Sequence, residues 1–195
     1  MRQLPNTQIQ IIQWESQTVS RIQQGDVTIG INYFPIKITK EIRQQPVAQS
    51  TSVFIVRKGH PWIIQGATLE SLSDYPIIGM ITPEVNDYHP VMKTELRGRD
   101  LHFSLRSMHL PTLFQQISNS DAVMVGQTIP ALGKAEDHIC IAPAWLYEYQ
   151  SVPYSYALYS LERHQHQPLM EYLKTLCIDI IKQQLNQAEA DFLYI

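Results

Sequence analysis

Apolar positions along the chain recur first with a period of two and then at helical spacing, and the change repeats several times. Thr7 to Gln13 puts Ile9 and Ile11 on one face and Ile12 on the other, which predicts a short strand. Ser16 to Gln24 carries Val19 and Ile22 at helical spacing and stops at Gly25, which predicts a helix. Asp26 to Asn32 alternates again through Val27, Ile29 and Ile31, so the opening reads strand–helix–strand, a unit whose crossover implies parallel neighbours. Ser52 to Arg57 is continuously apolar, as in a strand buried on both faces. A short helix around Thr68 to Ser73, a strand from Pro76 to Ile81, a helix from about Pro90 to Arg97 closed by Gly98 and a strand from Leu101 to Arg106 follow. Leu110, Leu113, Phe114 and Ile117 then fall at i, i+3, i+4 and i+7 of a helix that tolerates Pro111 in its first turn. Ala122 to Val125, Ile139 to Ala142 and Tyr154 to Leu161 read as strands. A long amphipathic helix starts at Pro168, and the residues after about Gln187 read as a tail.

Eight predicted strands alternating with five helical segments make the fold class α/β. Units from Pro76 to Ala142 can close a sheet of their own, while the first units and the final strand and helix share another. The chain would then cross twice, near Arg57 to His60 and near Tyr149 to Tyr154, leaving a cleft suited to a ligand.

Composition narrows this picture. With 195 residues, 44% hydrophobic and 17% charged, the chain is unlike disordered, collagen-like or disulfide-scaffold proteins. Its net charge of -3 is opposite in sign to that of a protein that coats phosphates. Cys140 and Cys177 stand far apart in apolar surroundings, as two buried thiols in a reducing compartment. No stretch approaches the roughly 18 apolar residues of a spanning helix, and the start lacks the apolar run of a signal peptide, so the cytoplasm is expected and no membrane contact. From Met1 the chain passes through Pro5-Asn6 straight into a strand pattern, as if it began in mid-fold.

No nucleophile elbow, phosphate loop, HExxH or dinucleotide-binding glycine motif is present, and no acid–base pair marks an enzyme, a metal or a cofactor. The lone glycine in Val125-Gly126-Gln127-Thr128-Ile129-Pro130 fits a turn at a strand end. His164-Gln165-His166 fits a solvated loop, since two imidazoles without a third ligand make a weak metal signal. His60-Pro61-Trp62 fits a turn with a half-buried tryptophan, and Trp14 a core or rim position where strand meets helix. The stronger candidates are polar groups at strand C-termini, the edge that faces the crevice in open α/β sheets. They are Glu15 and Ser16, Asn32 and Tyr33, Thr82, Pro83 and Glu84, and Ser107 and Met108, which as a set outline a binding site.

The order of these elements, with several local patterns, resembles the effector-binding domain of LysR-type transcriptional regulators. Leu4 to Ile9 through Arg21 to Ile31 is similar to the family's P-x-V-x-L … L-x-x-G-x-L-D-x-A-I stretch, with Gly25 kept and Thr28 where the aspartate usually stands. Val56 to Pro61 is similar to its strand ending in His-Pro. Ser107 to Pro130 is similar to its helix and strand, with Ser118 to Asp121 departing from the glycines, and Tyr154 onward to its return strand and closing helix. The resemblance implies a two-lobed type II periplasmic-binding-protein-like fold with two hinge crossovers. Residues 1–57 and 154–187 would form the first lobe, 58–153 the second, and 188–195 a tail. It also implies a small-molecule effector in the interlobe cleft, homodimers and often tetramers, and DNA binding through a separate N-terminal helix-turn-helix domain absent from this chain. The family's first effector-domain strand and most of its helix would be absent as well. Carried over by position, Glu15 and Ser16 would meet the effector at a helix start, and Thr82 to Glu84 would do so from the second lobe's first loop. Glu15 would be unusual opposite an anionic effector, which implies either a neutral or cationic ligand or a Glu15 that turns away. A solute-binding protein of a transport system, which shares the fold, is the alternative reading.

Overall fold

The computed structural model describes residues 8–85, 95–96, 99–100, 102–128, 138–147, 154–190 and 193–194. Its first helix, α1 (Thr18–Gln24), buries Thr18 and Ile22 and ends where Gly25 turns left-handed at φ 86°. The N–H groups of Gly25 and Asp26 close that end on Ile22 and Arg21 carbonyls, the turn that glycine adopts without Cβ strain. Next come β1 (Gly30–Phe34) and β2 (Ile42–Ser50). Gln8 to Gln13 forms no strand, and Ile9, Ile11 and Ile12 are 49%, 92% and 38% exposed. A strand persists only where a neighbour takes its backbone hydrogen bonds, and none of the described strands pairs with this stretch. The expected parallel strand–helix–strand unit is therefore corrected.

The longest element absent from the sequence reading is β2, whose stretch Ile42 to Ser50 is mostly polar and interrupted by Pro46. Proline is tolerated because β2 is an edge strand and the register shifts just there, between Tyr156 and Ala157 of the strand it meets.

The second sheet is built from β3 (Ser52–Arg57), β4 (Ile77–Met80), β7 (Phe103–Ser107), β8 (Val123–Gln127), β9 (His138–Ala142) and β11 (Leu193–Tyr194). Between them lie α2 (Pro61–Ile64), α3 (Leu69–Leu72), the small hairpin of β5 (Glu95–Leu96) and β6 (Arg99–Asp100), α4 (Leu110–Ser118) and α5 (Ala144–Tyr147). β10 (Tyr154–Leu161) then returns to the first sheet, which has the order β1-β10-β2 with all pairings antiparallel. After it α6 (Pro168–Ala190) packs on β2. The six-stranded order is β11-β9-β3-β8-β4-β7, with β4 parallel to both β7 and β8, β3 antiparallel to β8 and β9, and β11 parallel to β9.

Three expectations change here. β3 belongs to the six-stranded sheet, so the first crossing lies at Thr51 between β2 and β3 and not after Arg57. The stretch after Gln187 continues the helix to Ala190 and then adds a strand to that sheet. Of the helix expected over Pro90 to Arg97, residues 90–94 and 97 lie outside the described set, and Glu95–Leu96 pairs as a strand.

β3 is buried on both faces as its unbroken apolar run predicts. Phe54 and Val56 pack with Trp62, Leu69, Leu72, Val123 and Val125, while Val53 and Ile55 pack with Ile78, Met124 and the Leu113 and Ile117 face of α4. His60-Pro61-Trp62 is not a turn with a half-buried tryptophan but the start of α2. The His60 imidazole Nδ1 accepts from the Trp62 N–H at 3.1 Å and caps α2, and the Trp62 ring is fully buried, edge-on to Phe54. Its indole N–H donates to the Thr68 carbonyl.

Candidate functional site

The two sheets are joined where β2 runs into β3 and where β8 ends, and the joint is laced by short polar side chains. The Thr128 N–H donates to the Thr51 carbonyl at 2.8 Å, and the Thr51 N–H to Thr128 Oγ1 at 3.2 Å. Gln127, itself buried, accepts from Ser50 Oγ at 3.1 Å and donates to Ser52 Oγ at 2.8 Å. Threonine and serine suit such a crossing because their short hydroxyls satisfy the backbone and amide groups that neither sheet can pair.

Beside this joint stands a group of tyrosines. Tyr33 of β1 stacks on Tyr156 of β10 at 4.8 Å, and the Tyr156 hydroxyl donates to the Thr128 carbonyl at 2.9 Å, tying the first sheet to the end of β8. Burial pushes the Tyr33 phenol up to about 12 and raises Tyr156 well above the usual phenol range, so both remain neutral. Tyr159 donates to the Tyr33 carbonyl at 2.5 Å; burial first, and the Glu84 charge second, push its own ionisation up.

A second contact crosses from the stretch before α1 to the loops after β4 and β7. Trp14 Nε1 donates to Glu84 Oε2 at 2.8 Å, and Gln13 Nε2 donates to the Met108 carbonyl at 2.8 Å. Trp14 sits edge-on to Tyr159 at 5.2 Å and lies over Gly30, where an added Cβ would come within 2.5 Å of its ring. Glu84 takes the left-handed conformation at φ 61°, and the adjacent Val85 packs into the first sheet's core beside Ile22 and Tyr33.

The expected site residues are thus distributed unevenly. Glu84 and Met108 reach the first lobe, the latter through its backbone. Asn32 and Tyr33 are buried on β1; the Asn32 carbonyl oxygen Oδ1 accepts from the Tyr33 N–H at 2.8 Å, and Asn32 Nδ2 has no partner. Thr82 is buried and Pro83 half-buried on the loop that carries Glu84. Glu15 and Ser16 are exposed at the start of α1, where the Glu15 N–H donates to Thr18 Oγ1. Ser107 Oγ accepts from the His109 N–H inside its own turn. Sequence reasoning passed over Gln13, Thr128 and Tyr156 as site residues and read Trp14 as a core or rim residue, which its half-buried packing on the first core matches. Trp14 carried the one usable signal, its place between a strand pattern and a helix; Thr128 and Tyr156 meet only through the fold.

Among the described residues no three His, Cys, Asp or Glu side chains are grouped to hold a metal ion. His166 is exposed, and His164 contacts Arg163.

No protein-family model matches the sequence, and no curated protein matches it. Solved structures do match in fold. HinK, a LysR family transcriptional regulator from Pseudomonas aeruginosa, superposes with a TM-score of 0.63 at 17% identity over 88% of this chain and 57% of its own. The regulatory domain of MexT, a transcriptional activator in Pseudomonas aeruginosa, gives 0.61 at 14% identity over 84% of this chain and 78% of its own. The fold is that of a LysR-family regulatory domain. The OxyR2 regulatory domain from Vibrio vulnificus gives 0.59 at 13% identity over 87% of this chain and 77% of its own. The LysR regulatory-domain fold is the two-lobed type II periplasmic-binding-protein-like one, with the Thr51 and Thr128 joint between its lobes. The chain spans a little over half of HinK, 57%.

Among the described residues no helix is long and apolar enough to cross a membrane.

Proposed function

We propose that this chain is the effector-binding regulatory domain of a LysR-type DNA-binding transcriptional regulator, that it senses a small molecule between its lobes, and that it works in the cytoplasm. The observation that carries the reading is the pairing of a laced joint at Thr51 and Thr128 with side-chain contacts across the gap, Trp14 to Glu84 and Gln13 to Met108. A molecule that binds one lobe arrangement better than another shifts their populations by its difference in affinity. Asn32, Tyr33, Thr82, Pro83 and Glu84 are the proposed effector contacts, with Glu15, Ser16, Ser107 and Met108 at the rim. DNA would be bound by a helix-turn-helix domain outside this chain, and the domain would do no catalysis. The solute-binding reading is less favoured, because the structures sharing this fold include LysR-family and other transcriptional regulators.

A second copy of the chain is the proposed partner, and α6 the surface that meets it. Leu169, Leu176 and Ile180 are 51%, 39% and 50% exposed and recur at i, i+7 and i+11 along the helix, while Ile181 and Leu185 face the first core. A self-complementary stripe of this kind suits a two-fold interface.

Thermal denaturation against a panel of small metabolites tests the sensory reading. An effector at a hundred times its dissociation constant adds about 2.7 kcal/mol, which for a domain of this size raises the midpoint by about 5–10 °C. No shift with any compound at saturating concentration would count against a sensory cleft.

A further inference from the structure

The contact between Trp14 and Glu84 has a chemistry of its own. Glu84 is a half-buried carboxylate whose Oε2 is taken by the Trp14 indole N–H. Neither of the ion pairs formed among the described residues, Arg43 with Glu162 and Arg57 with Asp121, includes it or Glu15. Gln13 and Met108, which bridge the same two stretches of chain, are uncharged. Glu84 is also held at φ 61°, a conformation that costs a non-glycine residue energy and that concentrates at ligand clamps.

Asn32 supplies an independent pointer. It is 5% exposed, its Oδ1 is fixed by the Tyr33 N–H, and its Nδ2 donor is unsatisfied. Gly30 and Asn32 alternate onto one face of β1, and at Gly30 that face is covered by the Trp14 ring. The unsatisfied donor therefore lies one residue pair further along the face that Trp14 occupies. A buried donor without a partner is a cost that a ligand acceptor would remove.

We propose that the interlobe ligand is a small organic cation, an ammonium or guanidinium group that also bears a hydrogen-bond acceptor, with Glu84 and the Trp14 ring receiving the cation and Asn32 Nδ2 the acceptor. A carboxylate beside an aromatic ring attracts such a cation by charge and by the ring's negative face. A dicarboxylate would meet an unpaired carboxylate there. The assignment rests on the cleft being an effector site.

The test is isothermal titration of the intact chain with L-arginine, L-ornithine and agmatine, set against succinate and glutarate. The guanidinium and ammonium probes bind and the dicarboxylates do not. Glu84→Gln weakens the cations about tenfold to a hundredfold, as expected for a lost charged hydrogen bond, while Glu70→Gln, the same charge change at an exposed position of α3, leaves binding as it is. Circular dichroism confirms that both variants are folded. Agmatine, which lacks the carboxylate, binds about tenfold more weakly than L-arginine. Binding of succinate or glutarate without the cations would overturn the ligand class and leave the effector cleft standing. Equal cation binding by Glu84→Gln would overturn the role of Glu84, equal binding of agmatine and L-arginine that of Asn32, and binding of no probe the proposal as a whole. In that last case the metabolite panel still decides whether the cleft is sensory.

Discussion

His60 shows how one residue ties sequence to stability. Its ring is fully buried, edge-on to Tyr75 at 4.9 Å, and its Nδ1 must stay unprotonated to accept from Trp62. Burial lowers its ionisation below the ordinary 6.5. The unfolded chain takes up a proton near 6.5 and the folded chain only at lower pH, so stability is full above that value and falls as pH drops towards the folded one. Urea denaturation between pH 5 and 7.5 should show this loss on the acid side, and His60→Asn, which keeps a capping acceptor and removes the titration, should flatten it. Gly30 is a second such position. Gly30→Ala sets a methyl 2.5 Å from the Trp14 ring, so the ring must move. We expect a loss of about 1–3 kcal/mol in urea denaturation and a shift in tryptophan emission.

Elements differ in how much of them could be read along the chain. β3 and β10 agree with their predicted limits, and α1, α4 and α6 stand where helical spacing puts them, because each buries a face whose period is local. β2 was illegible because an edge strand with a mostly polar sequence and a proline carries no period of two. Gln8 to Gln13 has that period and yet forms no strand, since periodicity describes faces and not partners. The apolar pattern of α6 reads as one stripe in sequence, whereas the fold buries Met170, Ile181 and Leu185 and leaves Leu169, Leu176 and Ile180 outside. Replacing Leu176 and Ile180 together by Glu should convert a dimer to a monomer in light scattering with an unchanged circular dichroism spectrum. A chain that is already monomeric at high concentration would remove α6 as the interface.

At the scale of the whole molecule the decisive contacts are few and long-range. Trp14→Phe keeps an aromatic side chain but deletes the donor to Glu84 and the outer indole carbons that cover Gly30. It should lower the unfolding free energy by about 1–2 kcal/mol in denaturant while both sheets keep their circular dichroism signal. A loss of folded signal would instead make Trp14 a core residue and not a bridge. Of the residues singled out along the chain, Glu84 and Met108 reach the other lobe, whereas Ser107 is occupied in its own turn and Ser16 is exposed.

The sequence by itself determined the α/β class, most of the helices and the strands with a buried face, since these follow from side-chain period and from caps such as Gly25. Only the tertiary structure decided that β1 pairs antiparallel with β10, that β3 belongs to the larger sheet, and that Trp14 meets Glu84. The reason is physical. Period and capping act over a few residues, whereas strand order and a cleft depend on which distant surfaces bury each other best, as when Tyr156 finds Thr128 from another strand.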